Sequence, residues 1–219
     1  MPDFIDARHK LSAIESRRLK GQRVVRSEKE AQLKRVLPYN HILREMADHN
    51  PRLTMTDITT FVEGFLLASS SQETAFEAAN ATRDIIEGMR HELAFEATLY
   101  HIDGVGNIRP ADIDTDILGT DIEVIYKGEH FGFDVKSNPS AARRCANDNL
   151  SYAGKISTIP IWSGFEGRDF GDSLRILDQK AAIERASFVG DVLEAAYQHG
   201  CERAINMILH DGNVSKIHS

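Results

Sequence analysis

The sequence predicts a protein of the α/β class. Apolar residues recur at helical spacing over residues 71–100, and a second helical pattern covers residues 174–197. Between them, residues 120–127 and 130–136 alternate apolar and polar side chains with the two-residue period of β-strands. Long helices and short alternating strands are therefore expected in the same chain.

The N-terminal part of the chain is predicted to form a helical accessory region, residues 1–70. Residues 7–37 are polar and suit two helices. Thr56 and Asp57 are candidate capping residues for a later helix, because short polar side chains accept hydrogen bonds from the free N–H groups of a helix start. We expect the rest of the chain, residues 71–219, to form the main domain.

The second half of the chain is predicted to alternate between loops, strands and helices. Residues 101–119 are rich in Gly, Asp and Pro and predict a loop, in which residues 106–109 begin a short strand. A helix is expected after Pro139 and a strand over residues 156–162. Residues 204–209 are predicted to form a final buried strand.

The composition is that of an ordinary globular protein. Of 219 residues, 42% are hydrophobic and 27% are charged, which excludes wholesale disorder and fibrous repeats. No stretch approaches the roughly 18 uncharged apolar residues of a membrane span, and the first ten residues lack the apolar region of a secretory signal. We therefore expect a cytoplasmic protein with no membrane partner. Cys145 and Cys201 lack the spacing of a disulfide framework or a zinc site.

Charge is distributed unevenly along the chain. Residues 1–44 contain 11 Lys or Arg and five Asp or Glu, so this segment carries +6 while the whole chain carries -7. Clustered cations bind nucleic-acid phosphates by releasing counterions, although solvated helix surfaces have similar compositions. The accessory region is therefore a candidate for gripping DNA or for dimerisation.

The two alternating segments predict a hairpin with three charged side chains on one face. If Lys127 and Gly128 form a two-residue turn, counting outward sets Asp121 opposite Asp134. A slide of the turn by one residue sets Asp121 opposite Lys136 instead, and the three side chains still share a face. Like charges placed directly opposite destabilise a strand pair, and a divalent cation would remove that repulsion.

These residue types suit metal-dependent hydrolysis of a phosphodiester. Carboxylate oxygens are ligands for Mg²⁺ or Mn²⁺, which keep several waters and bind substrate phosphate. Lys136 lies two residues after Asp134 and so points to the same face. An ammonium there can orient or help to deprotonate the attacking water, and it can offset charge that builds on the phosphate.

The run GTDIEVIYKGEHFGFDVKSN resembles the hairpin that defines the PD-(D/E)XK nuclease superfamily. Asp121 matches the first acid of that pattern, and Asp134 and Lys136 match its (D/E)-x-K element. Thr120 stands where the pattern has Pro, a position that varies freely in the superfamily.

The resemblance covers about residues 85–210 and implies a restriction-endonuclease-like αβββαβ core with a central mixed sheet. A glutamate on an upstream helix belongs to the family pattern, which implies Glu92 as a metal ligand beside the two aspartates. Glu96 stays open as the alternative, because it lies one helical turn later on the same face. Asp116 and Glu123 are further acidic candidates.

The function that the resemblance implies is Mg²⁺-dependent hydrolysis of DNA, with Mn²⁺ able to replace Mg²⁺. The candidate nucleic-acid contacts follow the second strand: Ser137, Asn138, Arg143 and Arg144. A type II restriction enzyme acting as a homodimer fits the chain length, and a junction resolvase, repair nuclease or phage nuclease fits nearly as well. DNA versus RNA stays open. The alternative from a different class is a catalytically silent nucleic-acid-binding or assembly module with the same fold.

Overall fold

The structure is a computed structural model that describes most of the chain after residue 53. The described residues are 10, 13–14, 16–17, 20, 27–28, 31, 42–46, 48–49, 54–69, 75–112, 115–116, 119–151, 158–176 and 178–211. Most of the accessory segment in which two helices and a basic surface are predicted therefore lies outside the described residues. The chain divides into two compact units, residues 1–89 with 172–174 and residues 90–171 with 175–219. No helix in the described ranges has the length and apolar character needed to cross a membrane.

In the first unit, helix α1 spans Met55–Ser69 and begins with a capping box. The N–H of Asp57 donates to the hydroxyl of Thr54 at 3.2 Å, and the N–H of Thr54 donates to the Asp57 carboxylate at 3.2 Å. The hydroxyl of Thr54 also donates to the Asp57 carboxylate, at 2.7 Å, and this bond together with the one from the Thr54 N–H lowers the pKa of Asp57. The cap is therefore Thr54, two residues before the Thr56 that the sequence suggested, because Asp57 serves as the third helical residue of the box.

Helix α2 spans Ala75–Leu99, and its last ten residues belong to the second unit. In that unit Phe95 and Leu99 are fully buried. The ring of Phe95 packs edge-on against the ring of Phe133, with centroids 5.0 Å apart. The long helix predicted over residues 71–100 is confirmed over the residues described.

The second unit contains a four-stranded mixed sheet. Strands β1 (Val105–Pro110), β2 (Ile122–Tyr126), β3 (Glu129–Lys136) and β4 (Thr158–Trp162) lie in that order across it. The first three strands are antiparallel neighbours, and β4 runs parallel to β3. Helix α3 (Pro139–Ser151) makes the crossover that a parallel pair requires. The predicted α/β class is confirmed.

The β2–β3 hairpin has the turn and register that the sequence predicts. Lys127 and Gly128 both have positive φ, 50° and 87°, as a type I′ turn requires at its two central residues. Tyr126 pairs with Glu129, and the register continues to Ile122 opposite Phe133.

The core of the second unit lies between the sheet and two C-terminal helices. Helix α4 (Gly167–Phe170) is a short turn after β4, and α5 (Gln179–His199) and α6 (Cys201–Asp211) follow it. The predicted helix over residues 174–197 begins later, at Gln179, because the Asp178 side chain accepts a hydrogen bond from the N–H of Lys180 and caps the helix there. The largest cluster of buried side chains is drawn from strands β2, β3 and β4 and from helices α2, α3, α5 and α6, with Val124, Phe133, Ile159, Val192 and Ile205 among its members.

The prediction of a buried strand at residues 204–209 is wrong, because these residues lie in helix α6. Gly200 ends α5 with φ of 85°, and its N–H donates to the carbonyl of Ala196 at 2.8 Å. The next helix then begins at once. Ala204, Ile205 and Ile208 are buried in the core cluster at helical spacing, whereas a strand would bury every second residue.

Candidate active site

Asp121 is fixed to strand β3 by two hydrogen bonds. Its backbone N–H donates to the carbonyl of Phe133 at 2.8 Å, and its carboxylate Oδ2 accepts from the N–H of Val135 at 2.6 Å. These two partners lie on either side of Asp134 in the chain. The hairpin therefore brings the first acid of the predicted site beside the second.

Lys136 is an ion-pair partner of Asp134. Its ammonium Nζ contacts the Asp134 carboxylate Oδ1, and both side chains are largely buried. Burial lowers the pKa of Lys136, but the charges of Asp134 and Asp121 outweigh burial and raise it above its ordinary value. Lys136 is therefore an ammonium at neutral pH, which suits charge stabilisation and orientation of a water rather than removal of its proton.

The carboxyl groups of Asp116 and Glu92 lie close enough to interact electrostatically with the hairpin residues. Burial and the nearby charge of Glu92 raise the pKa of Asp116 to about 7 against an opposing effect of Lys136. Asp116 is held in a turn, in which its own N–H donates to the carbonyl of Asp112 at 2.8 Å and its carbonyl accepts from the N–H of Gly119 at 2.7 Å. The predicted helix glutamate therefore acts on the same cluster as the hairpin acids.

The carboxyl group of Asp121 is also perturbed by its surroundings. Burial raises its pKa well above the ordinary value, and the carboxylates of Asp134, Glu92 and Asp116 add to this effect against the opposing charge of Lys136. Four carboxyl groups thus repel one another around one ammonium. We call Glu92, Asp116, Asp121, Asp134 and Lys136 the acidic cluster.

The donor chemistry of the acidic cluster fits a divalent cation. All its acidic members offer hard oxygen atoms. Burial and the neighbouring carboxylates raise the pKa of Asp121, and a bound cation would oppose both effects by favouring the charged carboxylate. Asp121 and Asp134 meanwhile accept hydrogen bonds from Val135 N–H and from Lys136. In the described part of the chain, no three His, Cys, Asp or Glu side chains already converge as a metal-binding group.

No family model, curated protein or solved structure matches this chain.

Glu123, a further acidic candidate, is held in a separate ion-pair network. Its buried carboxylate lies 2.9 Å from Arg109 Nη2 on β1 and 3.4 Å from His130 Nε2 on β3. Glu123 therefore has a cationic partner without a metal. Glu96, the alternative helix ligand, is half-buried on α2 one turn after Glu92.

The predicted nucleic-acid contacts lie at the start of helix α3. Asn138 Oδ1 accepts a hydrogen bond of 2.8 Å from the N–H of Ala141, so this side chain caps the helix. Ser137 and Arg144 are exposed, and Arg143 is partly buried. Ser137 and Arg144 thus remain accessible to a ligand, while Asn138 already has a structural role.

A buried hydrogen bond beside the acidic cluster was not predicted from the sequence. His91, the neighbour of Glu92, has Nδ1 2.6 Å from the hydroxyl of Ser163, and both side chains are buried. The N–H of Ser163 donates in turn to the carbonyl of Lys136 at 3.1 Å. Helix α2 is therefore tied to the end of β3. No spacing in the sequence connects residues 91 and 163, which are 72 positions apart.

Proposed function

We propose that this chain is a Mg²⁺-dependent DNA endonuclease of the PD-(D/E)XK type. The observation that carries the proposal is the hydrogen-bonded arrangement of Asp121, Asp134 and Lys136 on one hairpin. The order α2-β1-β2-β3-α3-β4 in the described residues supports a restriction-endonuclease-like αβββαβ core. The charge of Glu92 on Asp116 and Asp121 supports this glutamate, rather than Glu96, as the helix ligand.

In this proposal Glu92, Asp121 and Asp134 hold Mg²⁺ or Mn²⁺. The cation, when bound, supplies Lewis-acid activation of the phosphate and of the attacking water. Asp116 stands close enough to the other acids to adjust the charge of the site. Its pKa of about 7 means that it exchanges a proton near neutral pH.

Lys136 has a distinct task from the acids. Its charge is retained at neutral pH because Asp134 and Asp121 raise its pKa. A fixed ammonium beside the reacting phosphate stabilises negative charge that grows in the transition state. It also donates a hydrogen bond that can orient the attacking water.

The substrate in this proposal is duplex DNA, and the two cuts of a duplex suit a symmetric homodimer. Ser137, Arg143 and Arg144 follow the strand that carries Lys136 and are the proposed contacts to neighbouring phosphates. A type II restriction enzyme fits these features, as do a junction resolvase, a repair nuclease and a phage nuclease.

The proposal is tested by incubating the protein with supercoiled plasmid, linear duplex and branched DNA in Mg²⁺, in Mn²⁺ and in EDTA. We expect cleavage in both metals, none in EDTA and none by Asp134→Asn. Asp191→Asn is the matched control, because it makes the same chemical change at an exposed position of α5. Equal cleavage by wild type and Asp134→Asn would contradict the proposal.

A second candidate function is a silent nucleic-acid-binding module. The observation that favours it is the direct contact of Lys136 with Asp134, since the ammonium already neutralises that carboxylate. Calorimetry separates the two candidates. Binding of Mn²⁺ that Asp134→Asn abolishes supports the nuclease, and DNA binding without any Mg²⁺ or Mn²⁺ binding supports the silent module.

A further inference from the structure

The side chain of Arg185 on α5 is enclosed by aromatic residues at the end of strand β4. Its Nη2 donates to the carbonyl of Trp162 at 2.6 Å. The guanidinium carbon lies 5.5 Å from the Trp162 ring centroid and 4.5 Å from that of Phe188, so both rings make cation–π contacts with it. These contacts hold the guanidinium in one place.

This enclosed cation has no carboxylate partner in the described part of the chain. Burial alone lowers the pKa of Arg185 to about 10, and no acidic residue contributes to the shift. The guanidinium stays charged at neutral pH all the same. A largely buried charge without a counterion is costly, and an anion would offset that cost.

Two buried N–H groups at this place also lack acceptors among the described residues. They are the Nε of Arg185 and the indole Nε1 of Trp162. Buried donors of this kind nearly always have a partner, so two of them on side chains that contact each other point to a ligand with acceptor oxygens. The oxygens of a phosphate match the donor geometry of a guanidinium.

Backbone geometry leaves room for the cation. Gly164 has φ of 95°, and a Cβ at this position would lie 2.6 Å from Cδ of Arg185. The main chain after β4 can therefore pass against the Arg185 side chain only because residue 164 is glycine.

The enclosed cation lies beside the acidic cluster. Trp162 is the register partner of Lys136 in the parallel pair of β3 and β4, and neighbouring strands are roughly 4.8 Å apart. The N–H of the next residue, Ser163, donates to the carbonyl of Lys136 at 3.1 Å. An anion at Arg185 would thus be a near neighbour of one at Lys136.

We infer that Arg185 and Trp162 form a phosphate-binding site that takes a backbone phosphate of DNA close to the phosphate that is cleaved. The inference rests on the proposed function for its choice of DNA. The chemistry it requires is an acceptor-rich anion, which a free phosphate shares with a phosphodiester.

The site can be followed directly because Trp162 is the only tryptophan of the chain. Tryptophan emission is recorded in EDTA at constant ionic strength while inorganic phosphate or a short DNA duplex is added to the full chain. We expect a saturable change with the duplex. Phosphate should give the same change only at much higher concentration. A response to phosphate with none to the duplex would overturn the assignment to DNA.

The variant Arg185→Gln should bind the duplex roughly tenfold more weakly in EDTA, and the slope of log affinity against log salt should fall by about one. Arg203→Gln, an exposed arginine on α6, is the matched control and should change neither quantity. Arg185→Lys keeps the positive charge but loses the planar pair of N–H donors. It should therefore keep the salt dependence of duplex binding and lose part of the duplex affinity. If Arg185→Gln does not fold, Arg185→Lys decides, and wild-type affinity in it would overturn the inference.

The nuclease and this phosphate site can fail independently. Asp134→Asn should lose cleavage and keep the tryptophan response. A wild type that gives the response without cleaving any DNA would overturn the nuclease and leave the phosphate site in place. Cleavage by wild type together with unchanged duplex affinity in Arg185→Gln would overturn the phosphate site alone.

Discussion

The Asp121 carboxylate accepts a hydrogen bond of 2.6 Å from the backbone N–H of Val135, the residue between Asp134 and Lys136. A side chain at the start of β2 is thereby fixed to the strand that carries the other two groups. An intramolecular hydrogen bond contributes roughly 0.5–1.5 kcal/mol to stability. The hairpin therefore positions three members of the acidic cluster without help from distant parts of the chain.

The variants Asp121→Asn and Asp121→Ala should separate this structural bond from the charge. The asparagine keeps an oxygen for the Val135 N–H and removes a charge that its neighbours repel. We expect its metal-free thermal midpoint to equal or exceed that of wild type, while Mn²⁺ binding by calorimetry and cleavage are lost. The alanine should lose stability as well, by roughly 1–3 kcal/mol. Wild-type cleavage by Asp121→Asn would contradict the role as ligand.

Replacement of Lys136 by alanine should lower cleavage by roughly 100-fold to 1000-fold, as does removal of a group that stabilises transition-state charge. Lys136→Arg should recover part of the rate because it keeps the positive charge. Lys180→Ala, at an exposed lysine on α5, serves as the control. Cleavage rates are measured under single-turnover conditions, with enough protein to saturate the DNA. Undiminished cleavage by Lys136→Ala would remove this lysine from the mechanism.

The hairpin could be predicted from the sequence because its information is local. Alternation along two adjacent segments fixes the faces, and Lys127-Gly128 fixes the turn and therefore the register. Helix α6 could not be predicted in the same way. Its apolar residues form a short run that suits a strand or a buried helix equally. The helix is favoured by the helix-ending hydrogen bond from Gly200 to Ala196, which is visible only in the structure.

The parts of the site that depend on distant contacts could not be predicted from the sequence either. Arg185 lies 23 positions from Trp162 in the chain, and no spacing rule connects a helix residue to the end of a strand. His91 and Ser163 are 72 positions apart. These residues become neighbours only when the helices pack on the sheet. The periodicity of apolar residues in a single sequence does not show how the helices pack.

Stability without metal should fall as pH rises from 5 to 8, because Asp116 has a folded pKa of about 7 against an ordinary value of 3.8. Between these two values the folded state binds more protons than the unfolded state, so each increase in pH favours unfolding. The stability contributed by Asp116 is fully present when the pH is below its ordinary pKa. It is lost as the pH rises through its pKa in the folded state. Thermal midpoints in EDTA measure this decline.

The variant Asp116→Asn isolates this contribution from the histidines that titrate in the same range. The difference in midpoint, Asp116→Asn minus wild type, should increase from pH 5 to pH 8. It should shrink again when Mn²⁺ is added at pH 8, because the cation offsets the repulsion in the wild type. A difference that does not vary with pH would show that Asp116 is not perturbed by its neighbours.

Substitution of Gly164 by alanine should destabilise the protein through two separate effects. The left-handed backbone at φ of 95° costs an alanine roughly 1–2 kcal/mol, and the new methyl group collides with the Arg185 side chain. The collision disappears when residue 185 is alanine. A double-mutant cycle of Gly164→Ala and Arg185→Ala, measured by urea unfolding, should therefore give a coupling of roughly 1–3 kcal/mol. Equal costs of Gly164→Ala in both backgrounds would mean that the guanidinium stem does not lie against this backbone, and the enclosed cation would lose its structural basis.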